Sequence, residues 1–187
     1  MNSRILTALE RWPIIPAVKD ETGLREALLL DQQVLFLLYG DLCSLGPTIH
    51  RIHSAGKLAV VHGDLVGGLG SKEIAVDFLK SQGADGIIST RPGFIRRGRD
   101  LGLFTVQRFF VFDSLSLESV SRSSGDVKPD LVEILPGIMP RILTQLSDTI
   151  HTPLICGGLL RNKEDVLEAL AAGALAISAT SPDIWRL

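Results

Sequence analysis

The chain has 187 residues, 45 % of them hydrophobic and 21 % charged, which suits one globular domain with a continuous core. A formal net charge of −2 and a pI of about 6.1 advertise no nucleic-acid partner, so any RNA contact has to be a local basic patch. Cys43 and Cys156 stand in no CxxC or Cys/His cluster, which leaves zinc binding without a pattern and fits a reduced compartment.

The leading segment Met1–Trp12 mixes Arg4, Glu10 and Arg11 among apolar residues. It lacks the apolar core and small-residue cleavage site of a secretory signal, and no apolar run in the chain is long enough to span a bilayer. The expected address is the cytoplasm, without membrane contact. From Ile14 one rhythm repeats: a short apolar, β-rich run, a polar or glycine turn, then a segment of helical periodicity. The runs are Ile14–Val18, Val34–Tyr39, Leu58–His62, Gly86–Ser89, Phe104–Phe109, Leu131–Leu135, Pro153–Cys156 and Ala174–Ser178. Between them lie amphipathic segments over Thr22–Leu30, Leu45–Ala55, Ser71–Gln82, Phe94–Leu101, Leu115–Arg122, Met139–Thr149 and Asn162–Ala172. Gly56, Gly83, Gly102 and Gly173 follow helices where a left-handed residue is wanted, and Ser71 and Asn162 stand as N-caps.

Runs such as Val34–Leu38 are apolar on both faces, as a strand needs when helices cover one side and a barrel interior the other. Eight such units in residues 1–187 predict a compact α/β domain, a (β/α)8 TIM-barrel-like fold with a truncated last helix, since only Ser181–Leu187 remain for it. An open doubly wound sheet is the alternative.

In a (β/α)8 barrel the binding site lies at the C-terminal ends of the strands. The polar residues that close the apolar runs are therefore expected at one mouth, Thr90 and Arg108 among them, with Lys19, Asp41, His62, Asp64, Ser89, Arg91, Gln107 and Glu133 as ligand contacts. Gly157, Gly158 and Leu159 after run seven, with Ser178, Ala179 and Thr180 around the end of run eight, are the candidate phosphate cup. A plain tight turn at Gly157–Gly158 is the other reading. His62 and Asp64, two apart, are expected to point the same way. They suit ligand hydroxyls, a core polar pair or, with further ligands, a metal; no metal or cofactor is expected. Gln107 and Glu133 alternate with apolar neighbours and are expected to face the interior, as hydroxyl readers, as a buried polar layer or, for Glu133, as a general base. No lysine closes runs five to seven, so a Schiff-base aldolase lacks its nucleophile there. Arg96, Arg97 and Arg99 follow Arg91 closely and form either a solvated basic helix face or an RNA phosphate contact.

Seven ordered stretches resemble the glycerol-uptake-operon antiterminator family. They are Ile15–Lys19, Leu38–Asp41, Val61–Leu65, Gly86–Arg91, Val106–Phe110, Glu133–Gly137 and Gly157–Leu159. The resemblance runs from about Ile14 to Trp185. It implies a TIM-barrel-like fold, glycerol 3-phosphate or a similar small phosphate as ligand, and leader mRNA as partner, in a non-catalytic regulator that prevents premature termination of glycerol-metabolism transcripts. Gly63 departs from the pattern, which carries a β-branched residue there, and is expected to loosen the end of strand three. A homo-oligomer that assembles the RNA-binding face is compatible with the acidic pI. The competing readings are a phosphosugar isomerase or epimerase using Asp64 and Glu133 as acid and base, and a ligand sensor acting through a protein partner.

Overall fold

Strands that are apolar on both faces need cover on both, and a closed ring of strands wrapped in helices supplies it. The computed structural model describes residues 2–187; Met1 of the leading segment lies outside the described residues. Its elements are α1 (Asn2–Arg11), β1 (Ile14–Val18), α2 (Glu21–Leu28), β2 (Val34–Leu37), α3 (Leu45–Ser54), β3 (Leu58–His62), α4 (Ile74–Ser81), β4 (Gly86–Ser89), α5 (Pro92–Asp100), β5 (Phe104–Phe110), α6 (Ser114–Val127), β6 (Leu131–Leu135), α7 (Pro140–Thr149), β7 (Leu154–Gly157), α8 (Lys163–Ala171), β8 (Ala176–Ala179) and α9 (Pro182–Trp185). The strands pair in parallel in chain order and β8 returns to β1, with Ile15 beside Ser178. This closure makes the fold a TIM-type barrel and excludes the open sheet.

Alternation along each strand sorts the side chains into two cores. Ile15, Val34, Phe36, Leu58, Val60, Ile88, Phe104, Val106, Leu131, Ile155 and Ala176 fill the interior. Their neighbours, such as Leu35, Val61, Ile87, Val132, Ile134 and Ile177, face the helices. The helix punctuation is largely as expected. Asn162 caps α8 by accepting from the Asp165 N–H at 2.8 Å, and Gly56, Gly83, Gly102 and Gly173 all have positive φ. Ser71 does not cap α4, which begins three residues later at Ile74. The end of β3 is not loosened by Gly63. The residue is buried in a 3₁₀ turn, Gly63–Leu65, and a Cβ there would lie 3.2 Å from both Phe94 and Ile87.

Two elements lie outside the eight repeating units, one before the first strand and one after the last. Helix α1 drives Ile5, Ala8 and Leu9 into the same cluster as the interior strand residues, so it plugs the N-terminal end of the barrel. Helix α9 is one turn long, yet its Trp185 is almost fully buried and donates from Nε1 to the Ala179 carbonyl at 2.6 Å, while the Trp185 carbonyl accepts from Gln32 Nε2 at 2.7 Å. These bonds fasten the end of β8 and the loop that follows it. Truncating a fully enclosed leucine loses transfer free energy and leaves a cavity. Leu9→Ala is therefore expected to cost about 2–5 kcal/mol in a urea unfolding curve, and a change below about 0.5 kcal/mol would mean that α1 is not part of the core.

Candidate functional site

Above the apolar interior, at the C-terminal end of the barrel, the inward positions turn polar. His62 follows Leu58 and Val60 on β3, Arg108 follows Phe104 and Val106 on β5, Glu133 follows Leu131 on β6, and Ser178 follows Ala176 on β8. Glu133 has no exposed surface. One of its oxygens accepts from Arg108 Nε at 2.6 Å and the other from the Ser178 hydroxyl at 2.6 Å. The pairing crosses the gap that Gly157 leaves on β7, where a Cβ would lie 2.2 Å from Ser178 Oγ and 3.3 Å from Glu133 Oε1. Among the described residues Arg108 bonds through Nε alone, so its two terminal amino groups have no protein acceptor.

A pocket of about 130 Å³ opens on this layer. Arg108 and Ser178 line it together with Gly158, Leu159, Ala179 and Thr180, and with Ala17, Leu38 and Leu135 as apolar wall. The β7–α8 loop enters it through two successive left-handed residues, Gly158 at φ +75° and Leu159 at φ +63°. A left-handed leucine is strained, and such strain concentrates where a loop has to meet a ligand. Five of the six residues expected to form a phosphate cup thus border one pocket, and the sixth, Gly157, provides the clearance beneath it. A cation, a hydroxyl and exposed loop backbone facing a small cavity can hold an anion.

The other expected contacts divide. His62 and Glu133 do face the interior. Gln107 does not: it shares the outward side of β5 with Thr105, and its Nε2 donates to Ser123 Oγ of α6 at 2.7 Å. Strand parity puts Arg108, not Gln107, inside. Asp64 does not share a strand face with His62, because β3 ends at His62. Its carboxylate instead accepts from Ser89 Oγ at 2.7 Å, the Thr90 N–H at 2.8 Å and Thr90 Oγ1 at 2.9 Å. Burial raises its pKa, but these hydrogen bonds outweigh that and hold it below the usual aspartate range. Ser89 is thereby committed to Asp64, and Arg91 lies 3.5 Å from the same carboxylate and stacks over Phe94. Asp41 is exposed and spends its carboxylate on the turn into α3, accepting from the Cys43 and Ser44 N–H groups and the Ser44 hydroxyl. Lys19 is exposed at the end of β1.

On α5 the arginines separate as well. Arg97 is paired with Asp77 of α4 (Nε to Oδ2 2.9 Å), Arg99 donates to the Val127 carbonyl at 2.8 Å, and Arg96 is exposed. Arg108, expected at the mouth beside Gln107 but not singled out as a ligand contact, is the one of the two that lines the pocket, and Trp185, which fastens the end of β8 without lining the pocket, lies outside the expected set. The signal for the first was its place one residue from Gln107, on the opposite face of a strand. The signal for the second was a large aromatic near the chain end with no periodic segment around it. Among the described residues no group of three His, Cys, Asp or Glu is placed to hold a metal, and no helix is long and apolar enough to cross a membrane.

His62 is 4 % exposed and its Nδ1 has no hydrogen-bond partner among the described residues. Burial, then the charge of Arg108, push its pKa down to about 4, against weaker opposite pulls from Asp64 and Glu133. The unfolded chain protonates this imidazole near 6.5 and the folded chain only near 4, so the unfolded state binds more protons in between and stability falls as the pH drops through that window. Going from about pH 7 to about pH 5 is expected to cost the protein about 2 kcal/mol through this group. His62→Gln, compared with the wild type by urea unfolding at both pH values, is expected to remove that difference; an unchanged difference would assign it to other groups.

With this geometry in view, comparison with known proteins is informative. Residues 14–185 match the model of the family described as glycerol-3-phosphate responsive antiterminator. YgcP of Escherichia coli strain K12 is 39 % identical over 184 residues, covering 98 % of this chain and 96 % of that one. The crystal structure of a glycerol uptake operon antiterminator regulatory protein from Listeria monocytogenes superposes with a TM-score of 0.90 at 32 % identity, covering 94 % of this chain and 95 % of that one. A glycerol uptake operon antiterminator-related protein from Thermotoga maritima gives 0.84 at 32 % identity, covering 93 % and 98 %. A family match over nearly the whole barrel, carried by relatives above 30 % identity, leads to one conclusion: the chain belongs to the glycerol-3-phosphate responsive antiterminator family.

Proposed function

We propose that this chain, acting as one domain in the cytoplasm, binds glycerol 3-phosphate in the barrel mouth without turning it over, and that the bound form engages leader mRNA to prevent premature transcription termination. The observation that carries the ligand assignment is the pocket that Arg108 and Ser178 line together with Gly158, Leu159, Ala179 and Thr180. The phosphate accepts from the terminal amino groups of Arg108, which have no acceptor among the described residues, and from the loop N–H and hydroxyl groups around it. Arg108 is thereby shared between the ligand and Glu133, so ligand binding alters the grip on the buried carboxylate. That is the differential contact a ligand-dependent regulator needs.

The acid/base reading has less support. Both Glu133 oxygens are occupied, and Asp64 is held by three hydrogen bonds with its pKa lowered, so neither carboxylate is placed to shuttle a proton. The RNA assignment rests on the family. Within it, the exposed Arg96 of α5 is the better candidate phosphate contact, since Arg97 and Arg99 are already engaged.

Two measurements test this. Glycerol 3-phosphate at a hundred times its dissociation constant stabilises the folded state by about 2.7 kcal/mol, read as a rise in melting temperature. Gly158→Val, which forces a β-branched residue into a left-handed conformation, is expected to lower ligand affinity at least about tenfold while the barrel stays folded. No shift with the wild type, or an unimpaired variant, would refute the phosphate cup. Second, binding to the leader transcript of the regulated operon is expected to strengthen with glycerol 3-phosphate and to weaken with salt. Arg96→Ala is expected to lower RNA affinity and leave ligand affinity intact. Transcript binding indifferent to glycerol 3-phosphate would sink the regulatory part.

A further inference from the structure

On the outside of the barrel, α6 leaves one face uncovered. α6 packs on α5, and α7 packs on α8, but α6 and α7 meet only weakly. A trough opens between them: two hollows, of about 600 Å³ and about 400 Å³, share Ser121 and Thr149. The smaller one lies at the C-terminal end of α6, against Gly125, Lys128 and Ile150. At the other end of the same helix two apolar side chains stand in solvent, Phe112 at 82 % exposed and Leu115 at 74 %. The capping box of Asp113 and Ser116 fixes the turn that presents them, and the Phe112 N–H donates to Ser116 Oγ at 3.0 Å. Large apolar side chains held together in water mark a surface that another molecule covers.

The pattern along α6 indicates which molecule. Leu115, Glu118, Arg122 and Gly125 recur at spacings of three and four, so they form one stripe, and all four are exposed. Glu118 and Arg122 have the spacing of an intrahelical ion pair, yet neither side chain has a partner among the described residues. The stripe complements its own reverse. The carboxylate and the guanidinium lie equally far along the helix from Val120, and so do Leu115 and Gly125. Gly125 faces open space, since a Cβ there would meet nothing within 4 Å. A second α6 laid antiparallel across the first, about a two-fold axis at Val120, sets Glu118 of each copy against Arg122 of the other and Leu115 of each against Gly125 of the other. Phe112 of each copy then reaches the hollow at the far end of the other helix. A two-fold contact requires this self-complementarity, and an unrelated partner gives no reason for it.

We propose that this face of α6 is an interface between two copies of the chain, an antiparallel helix pair with two reciprocal Glu118–Arg122 ion pairs at its centre and Phe112 and Leu115 buried at either end. Burial of the apolar side chains supplies most of the attraction, because ion pairs near solvent contribute little, and the charges set the register. The interface uses none of the residues that line the pocket at the mouth, so it stands or falls without the ligand assignment.

Sedimentation velocity of the full chain over a concentration series tests this. The wild type is expected to approach twice 20.2 kDa. Glu118→Arg and Arg122→Glu each set like charges opposite one another at both ends of the pair. Each is expected to raise the dimer dissociation constant at least about tenfold, with the far-ultraviolet circular dichroism unchanged because both positions are exposed. Mixed in equal amounts, the two variants present a basic stripe to an acidic one, and the heterodimer is expected to regain the wild-type affinity. A merely structural role for either residue would not produce that rescue. Leu115→Lys, at a position in solvent, is expected to weaken self-association in the same assay. A wild type that stays monomeric up to about 0.1 mM overturns the proposal and leaves the trough to a different partner. A dimer whose affinity the single reversals leave unchanged overturns it too, since it uses another face. Weakened variants that mixing does not rescue also overturn it, because the two charges then do not meet across the pair.

Discussion

A carboxylate with no exposed surface has to be paired or it destabilises whatever encloses it, and Glu133 sets that condition for the upper barrel. Its partners come from strands on either side of β6: Arg108 from β5 and Ser178 from β8, two strands further round. The ring therefore has to close in one register for the three groups to meet. Removing one partner of a buried pair of this kind costs about 3–5 kcal/mol, whereas an apolar replacement of the whole set is often neutral. A polar layer that stability does not require is best explained by what it does, and here it sets a cation at the floor of a cavity.

The loops around that cavity are held from outside the layer. Gly157 leaves room for Ser178 to reach Glu133, and the next residue starts the left-handed pair that lines the pocket. On the adjoining strand, Trp185 ties the Ala179 carbonyl to the last helical turn, and Gln32 ties that turn to the segment before β2. The vestigial α9 therefore does for the β8 loop what a full helix does elsewhere in the barrel. Across the mouth, Asp64 performs a corresponding job for the β4–α5 turn by gathering Ser89 and Thr90, so the polar groups there are spent on the turn, while Arg108 keeps its terminal amino groups facing the pocket with no acceptor among the described residues.

This asymmetry gives a regulator a simple physical basis. Among the described residues, Arg108 of β5 brings unclaimed donors to the pocket that the β7 and β8 loops line, and β3 holds an imidazole whose buried Nδ1 has no partner. On the proposed reading, a ligand that engaged the arginine would loosen its hold on Glu133 and change the electrostatic environment of His62, because the Arg108 charge is, after burial, the main cause that lowers the pKa of the imidazole. The proposed binding, the protonation of His62 and the packing of the upper layer would thus share one set of side chains, the kind of link through which a small anion could shift a conformational equilibrium.

Local pattern determined a good deal by itself. Eight apolar runs alternating with amphipathic segments gave the strand count, and runs apolar on both faces indicated a barrel, because period and burial are local consequences of residue order. The loops that line the pocket were legible for the same reason, since glycine and hydroxyl residues at strand ends act where they stand. Helix α1 was also within reach, as Ile5, Ala8 and Leu9 have helical spacing. What tertiary structure alone decided was which polar residues look inward and which are already engaged. One residue of register on β5 separates Gln107, bonded to α6, from Arg108, which floors the pocket. Asp64, Arg97 and Arg99 carry groups as suited to a ligand as any in the chain, but partners from 20 to 28 residues away had claimed them. Hydrogen bonds between distant segments form only once the ring is closed, so no reading of neighbours along the chain can assign them.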